Sequence, residues 1–142
     1  MHPCIALADA IVEYLNDGSF ALSFDANRRL APSFSLQELE SLQVSVVPKV
    51  LSVAPFSRTE FTYDIGVDIG IQKRVDPQSD AEIDSLMTLV AEVLDYLLNA
   101  TIPGHPSARW TESKNEPIYS PQTLDEKRVF MSVITVMYSV TK

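Results

Sequence analysis

The stretch Phe61-Thr62-Tyr63-Asp64-Ile65-Gly66-Val67-Asp68-Ile69-Gly70-Ile71 alternates without interruption between large apolar residues and small or polar ones. Successive side chains of a strand point to opposite faces, so this period of two predicts a long β-strand buried on one face and open on the other. The open face would carry Thr62, Asp64, Gly66, Asp68 and Gly70, a set that does not make up an active site. Asp64 and Asp68 lie four residues apart on that face, at roughly 13 Å. That is too wide for two carboxylates acting on one bond, so the pair reads as part of a solvated acidic surface.

Residues 44–54 are rich in Val and Leu and form a second strand, in which Pro48 argues for an edge position or a bulge. Residues 55–59 are a turn that joins the two strands into a long antiparallel hairpin and exposes Phe56 and Arg58 at its tip. Residues 128–140 are apolar on both faces, with Phe130, Ile134, Val136 and Tyr138 on one and Val129, Met131, Val133 and Met137 on the other. Such a strand is central in a sheet or covered by a second subunit.

Two amphipathic helices accompany these strands. Residues 4–16 place Ile5, Ala8, Val12 and Leu15 on one stripe, and Gly18 offers a left-handed stop. Residues 79–99 carry Ile83, Leu86, Met87, Val90, Leu94 and Leu97 on another. Ser35 with Glu38, and Ser79 with Glu82, have the spacing of capping boxes, the first ahead of a helix of one or two turns. Phe20, Leu22 and Phe24 alternate as a short strand, residues 26–33 read as loop, and Asp76-Pro77 ends the long strand. The predicted order is helix, strand, short helix, strand, strand, long helix, loop, strand. The fold class is α+β: a mainly antiparallel sheet with a long β-hairpin, packed against two helices, in one domain spanning residues 1–142.

Residues 101–123 are the unusual segment, holding Pro103, Pro106, Pro117, Pro121 and the only Trp. A stretch of this length inside a compact domain is usually functional or disordered. With Trp110, Ile118 and Tyr119 inside it, an ordered loop that packs or binds is expected, with a short strand near Trp110.

Composition narrows the function. The formal charge is −8, from 19 acidic and 11 basic residues. Proteins that neutralise phosphates need the opposite sign, so direct nucleic-acid binding is disfavoured. Cys4 is the single cysteine and rules out an internal disulfide, which suits a reducing compartment. No signal peptide and no uncharged apolar run near the roughly 18 residues of a membrane helix are read. His2, Cys4 and His105 do not make a zinc set, which needs three or four ligands. Asp76, Asp80, Glu82 and Asp84 imitate a calcium loop, but Ala81 and Met87 stand where it needs Gly and Glu. Four glycines provide no phosphate cradle. No catalytic residue, metal site or cofactor is expected, and the chain is not read as an enzyme.

Several segments resemble small structural proteins encoded among the head–tail joining genes of long-tailed bacteriophages. They are Arg29-Leu30-Ala31-Pro32-Ser33-Phe34, Val46-Val47-Pro48-Lys49, Val67-Asp68-Ile69-Gly70-Ile71-Gln72-Lys73, Glu82-Ile83-Asp84, Asn115-Glu116-Pro117-Ile118-Tyr119 and the strand from Phe130 to Tyr138. The element order is similar to that of lambda-type tail terminators. The resemblance implies a hexameric ring in the virion neck, assembled in the host bacterial cytoplasm. That ring caps the tail tube, ends tube polymerisation and presents a head-joining surface to a head-closure or adaptor protein. Its partners would be copies of itself, the tail tube protein and the head-closure protein, with no membrane. Genomic DNA would pass through the ring without specific binding. Six copies at −8 each carry −48, so Asp64 and Asp68 are candidate lumen-facing acids that repel DNA. Phe56, Arg58, Trp110, Ile118 and Tyr119 are candidate interface residues. The alternatives are another connector ring, such as a head-completion or adaptor protein, and a small cytoplasmic enzyme or ligand-binding domain.

Overall fold

The computed structural model describes residues 1–31, 33–76 and 78–142; the strand end expected at Pro77, and Pro32 of the segment 29–34, lie outside the described residues. The centre is a five-stranded sheet of β1 (Ala26–Arg28), β2 (Gln43–Pro55), β3 (Phe61–Arg74), β4 (Arg109–Asn115) and β5 (Val129–Thr141), in the order β1-β2-β3-β5-β4. Only the short β1–β2 pair is parallel. The fold is α+β, with the long β2–β3 hairpin as its spine.

Alternation along β3 has the predicted result from Ile65 to Ile71, whereas Phe61 at the hairpin end is 43 % exposed and Tyr63 is half-buried. Ile65, Val67, Ile69 and Ile71 are fully buried, and across the ladder so are Phe130, Ile134, Val136 and Tyr138 of β5. Helices α1 (Pro3–Asn16) and α2 (Asp80–Leu97) cover that face. The stripe of α1 is rotated from the expected one: Leu7 and Ile11 join Ala8 and Leu15 in the core, while Ile5 and Val12 are only half-buried at its flank. Pro48 marks a bulge, where the β2–β3 register shifts between Pro48 and Val50. Pro48 has no N–H for a ladder, and β1 lines β2 only from Val44 to Val46, so the proline stands on an open edge.

Four local expectations are corrected. Phe20, Leu22 and Phe24 form no strand; Phe20 packs edge-on against Tyr96, whose ring stacks on Tyr14 at 4.3 Å. The Tyr96 hydroxyl donates to the Tyr14 carbonyl at 2.8 Å, tying together the ends of α1 and α2. The strand starts later, at Ala26, because the Asn16 amide side chain satisfies both backbone groups of that residue: Ala26 N–H donates to Oδ1 at 2.7 Å and Nδ2 donates to the Ala26 carbonyl at 3.1 Å. Gly18 is not left-handed. It is needed for space, because a Cβ there would stand 2.7 Å from the Phe20 ring and 3.0 Å from Tyr96. Ser79 caps α2 without a side-chain hydrogen bond, since Glu82 turns instead to Lys73 Nζ at 2.8 Å.

The segment expected as an ordered loop with a short strand near Trp110 contains that strand, β4, and leads into an unexpected helix, α3 (Pro121–Lys127). Ser120 Oγ accepts from Thr123 N–H at 3.2 Å, Pro121 takes the first turn, and Arg128 closes the helix with a φ of 56°. Ser-Pro at the start was a legible signal. Seven residues were too few to show a periodic stripe.

Tyr138 is fully buried and its hydroxyl has no hydrogen-bond partner among the described residues. Burial pushes this phenol well above its ordinary ionisation range. The unfolded chain therefore releases the proton first. The neutral phenol's contribution is fully present below about pH 10 and is lost above it by about 1.4 kcal/mol per pH unit. Tyr138→Phe should hold neutral-pH stability level or raise it by about 1 kcal/mol, since it deletes an unpaired buried hydroxyl. The same change should flatten the alkaline limb of stability against pH, measured by urea melts between pH 8 and 11.

Candidate functional site

The second face of the sheet is the side not covered by α1 and α2, and it is divided. At one end lie Ser45 and Gln72, both buried, with Val129 and Met131 of β5. A cover formed by residues 33–42 closes over them and brings Leu39 to 5 % exposure outside the main core. The first capping box holds this cover. Ser35 N–H donates to Glu38 Oε1 at 3.0 Å and Glu38 N–H donates to Ser35 Oγ at 3.1 Å, around the single 3₁₀ turn Glu38–Glu40. Donation from the Ser35 backbone N–H first, and from its hydroxyl second, holds the Glu38 carboxyl below its ordinary pKa.

At the other end the face is open. Lys49, the residue added by the β2 bulge, places Nζ 3.4 Å from Asp68 Oδ1, and Thr135 Oγ1 donates to the same oxygen at 2.5 Å. Three strands thus contribute one polar cluster in which the Asp68 charge is offset. The lysine is half-exposed, so the pair contributes less than about 1 kcal/mol to stability. Asp64 is exposed on the same face, opposite Ser52 and Ser139. Between the two acids, Gly66 lets Val50 and Met137 close over the backbone; a Cβ there would sit 2.6 Å from each.

The expected interface residues separate into two groups. Phe56, 66 % exposed, and Arg58 sit on the hairpin tip, where Phe56 N–H donates to the Glu60 carbonyl at 3.0 Å. Strand β5 follows β3 as far as Phe61, which exchanges backbone bonds with Lys142, so residues 56–60 project past the sheet. Ile118 and Tyr119 lie on the β4–α3 connection, where Ser120 N–H donates to the Met131 carbonyl. Met131 stands opposite Gln72, eleven residues along β3 from Phe61, which puts the two groups roughly 35 Å apart. Both Ile118 and Tyr119 are part-exposed, and the Tyr119 ring stacks on Phe130. Trp110 belongs to neither group. It is half-buried against the core on the helix-covered face, with Nε1 donating to Ser113 Oγ at 2.8 Å.

The residues considered for chemistry take structural positions. Cys4 is buried, its Sγ donates to the Val50 carbonyl at 3.4 Å, and burial pushes the thiol upward, away from a reactive thiolate. His2 caps α1 by accepting from Cys4 N–H through Nδ1. Among the described residues no group of three His, Cys, Asp or Glu is placed to hold a metal ion, and no helix is long and apolar enough to cross a membrane. Sequence reasoning missed a groove at the covered end, between residues 33–39 and α3, because its walls are far apart in the chain.

No family model and no curated protein sequence matches the chain. Among solved structures it superposes on the sheath/tube terminator of an extracellular contractile injection system, PVC, determined by cryo-EM in the extended state. The match covers 100 % of this chain and 57 % of that one, with a TM-score of 0.50 and 16 % sequence identity. The fold is terminator-like. At this identity the likeness concerns the fold, and the chain spans a little over half the length of its structural neighbour.

The division of the face predicts opposite responses to truncation. Leu39→Ala should lower stability by about 2–3 kcal/mol, because a buried side chain leaves a cavity under the cover. Phe56→Ser should leave the unfolding midpoint within about 0.5 kcal/mol of wild type. Chemical denaturation of the two variants side by side checks both.

Proposed function

We propose that this protein is a tail terminator: a ring that caps a tail tube, ends its polymerisation and offers a joining surface above it. The observation that carries the reading is the terminator-like fold, matched over the whole of the chain. The arrangement of the surface supports it. A closed ring of identical subunits needs two different patches per subunit that meet head to tail. This chain exposes apolar groups at two opposite ends of its sheet, Val53, Phe56 and Phe61 at the hairpin and Leu36, Ile118 and Tyr119 towards α3. In the finer form of the proposal the ring is a hexamer in the neck of a phage virion, its partners are the tube protein and a head-closure or adaptor protein, and DNA passes through it.

Under this reading the open half of the sheet face lines the channel. Of the two candidate acids, Asp64 is the one with no ion pair among the described residues, whereas Asp68 is held by Lys49 and Thr135. Asp64→Lys should then slow DNA passage or retain DNA in the neck, whereas Asp68→Asn should act mainly through the Lys49 cluster and have a smaller effect. The measurement is ejection or packaging yield of particles carrying each variant; equal yields from both and from wild type would remove Asp64 from the channel.

The proposal as a whole is tested with tubes. Added to polymerising tube subunits, the purified protein should shorten and narrow the length distribution in negative-stain images and be found at tube ends. Binding to capsids without binding to tube ends would point instead to an adaptor or head-completion ring.

A further inference from the structure

A groove of about 750 Å³ opens on the sheet face between the 3₁₀ turn and α3. Its floor is Val129 and Met131, its wall is Phe34, Leu36 and Leu39, and Glu126 lies on its rim. Leu36 is 58 % exposed there, and Val129 is buried. At the far end of the molecule, roughly 35 Å away, the hairpin tip holds Phe56 out in solvent beside Arg58. One apolar feature is concave and the other convex.

We propose that the groove receives the hairpin tip of a second copy of this chain, Phe56 seated on Val129 and Met131 and Arg58 paired with Glu126. The proposal rests on the ring reading above and names the contact that would build the ring. Three observations support it. The two features differ in shape and lie at opposite ends, which is the geometry of a head-to-tail contact. Their charges are complementary: Arg58 has no ion pair with any described residue in a chain of net charge −8, and Glu126 meets only the Gln122 amide, at 3.4 Å. Lys127, on the same rim, stands ready for Glu60 of the incoming tip.

The competing route, pairing of sheet edges between copies, is obstructed on both sides. The β2 edge is broken at Pro48 and Val50 and presents Lys49, and β4 is broken between Trp110 and Glu112. Bulges, prolines and lysines at edges are the features that prevent strand addition. The groove, of about 750 Å³, is within the range of clefts that take a drug-sized ligand, room for the side chains of a short tip.

The test uses the full chain. Arg58→Cys combined with Glu126→Cys should give, on mild oxidation, a ladder of covalent dimers and larger multimers on non-reducing gels that collapses on reduction. A disulfide between the two introduced cysteines of one copy is excluded, because bridged Cα atoms must lie within about 7 Å, and the native Cys4 is buried. In parallel, Phe56→Asp disables the tip and Leu36→Glu disables the groove. Neither variant should self-associate in mass photometry at concentrations where wild type does. An equimolar mixture should give dimers and nothing larger, since each variant keeps one intact half. Circular dichroism and melting temperature, expected unchanged at these exposed positions, show that the variants fold. Absence of the ladder, or wild-type association by both single variants, overturns the contact. If Phe56→Asp still forms rings on tube ends, the contact fails while the terminator reading stands. If the ladder forms but wild type never binds tube ends, the contact stands and the terminator reading fails.

Discussion

The structure depends on one continuous pairing, that of β3 with β5, which runs from Thr62 with Thr141 to Arg74 with Val129 without a register shift. On its other side β3 is paired with β2 from Phe61 to Gln72. Side chains on a strand alternate, so a slip of one residue would send Ile65, Val67, Ile69 and Ile71 to the open face and bury Asp64 and Asp68 under the helices. The cost of burying two unpaired carboxylates together with the loss of four buried aliphatic side chains fixes the register. Everything else is laid against this pair: α1 and α2 over the apolar side, the cover of residues 33–42 over one end of the other side.

That second face shows how a small domain can remain well ordered while leaving apolar surface uncovered. Strand β5 is apolar in both directions, but only its helix side is closed; Met131, Val133 and Met137 stay half-buried on the other. The chain shields part of that stripe with Leu39 and leaves the remainder beside a polar cluster of Lys49, Asp68 and Thr135. Edge bulges on β2 and β4 keep the sheet from extending itself strand to strand. Apolar surface stays exposed at the two ends, at the hairpin tip and at the groove.

Legibility in the sequence followed the range of the interaction that decides each element. The β2–β3 hairpin, the bulge at Pro48, the capping box at Ser35 and Glu38 and the two amphipathic helices all rest on contacts within a few residues or on strict periodicity. Those were readable. Residues 20–28 were misread because Phe20, Leu22 and Phe24 do alternate. The Phe20 ring nevertheless serves the junction of α1 and α2 by packing on Tyr96, with the Phe24 ring against Phe20, and the strand starts only at Ala26, where Asn16, ten residues earlier, holds the backbone. Glu82 has capping-box spacing, yet Lys73, nine residues away and across a turn, outcompetes Ser79 for its carboxylate. Of the candidate interface residues, Phe56 and Arg58 could be placed at the hairpin tip from turn chemistry alone. Trp110 could not, because only the pairing of β4 with β5 shows that it leans on the core.

By itself the sequence determined which faces are apolar and where the longest strands run, since these follow from period and residue chemistry. The tertiary structure decided which charges meet and which surfaces remain. Lys49 reaches Asp68 only because β2 pairs with β3 in a register that sets it, unpaired at the bulge, beside that acid, and the groove exists only because residues 33–39 and α3, more than eighty positions apart, settle on the same end of the sheet. Pairings of that kind are set by packing between distant segments, which no local pattern encodes.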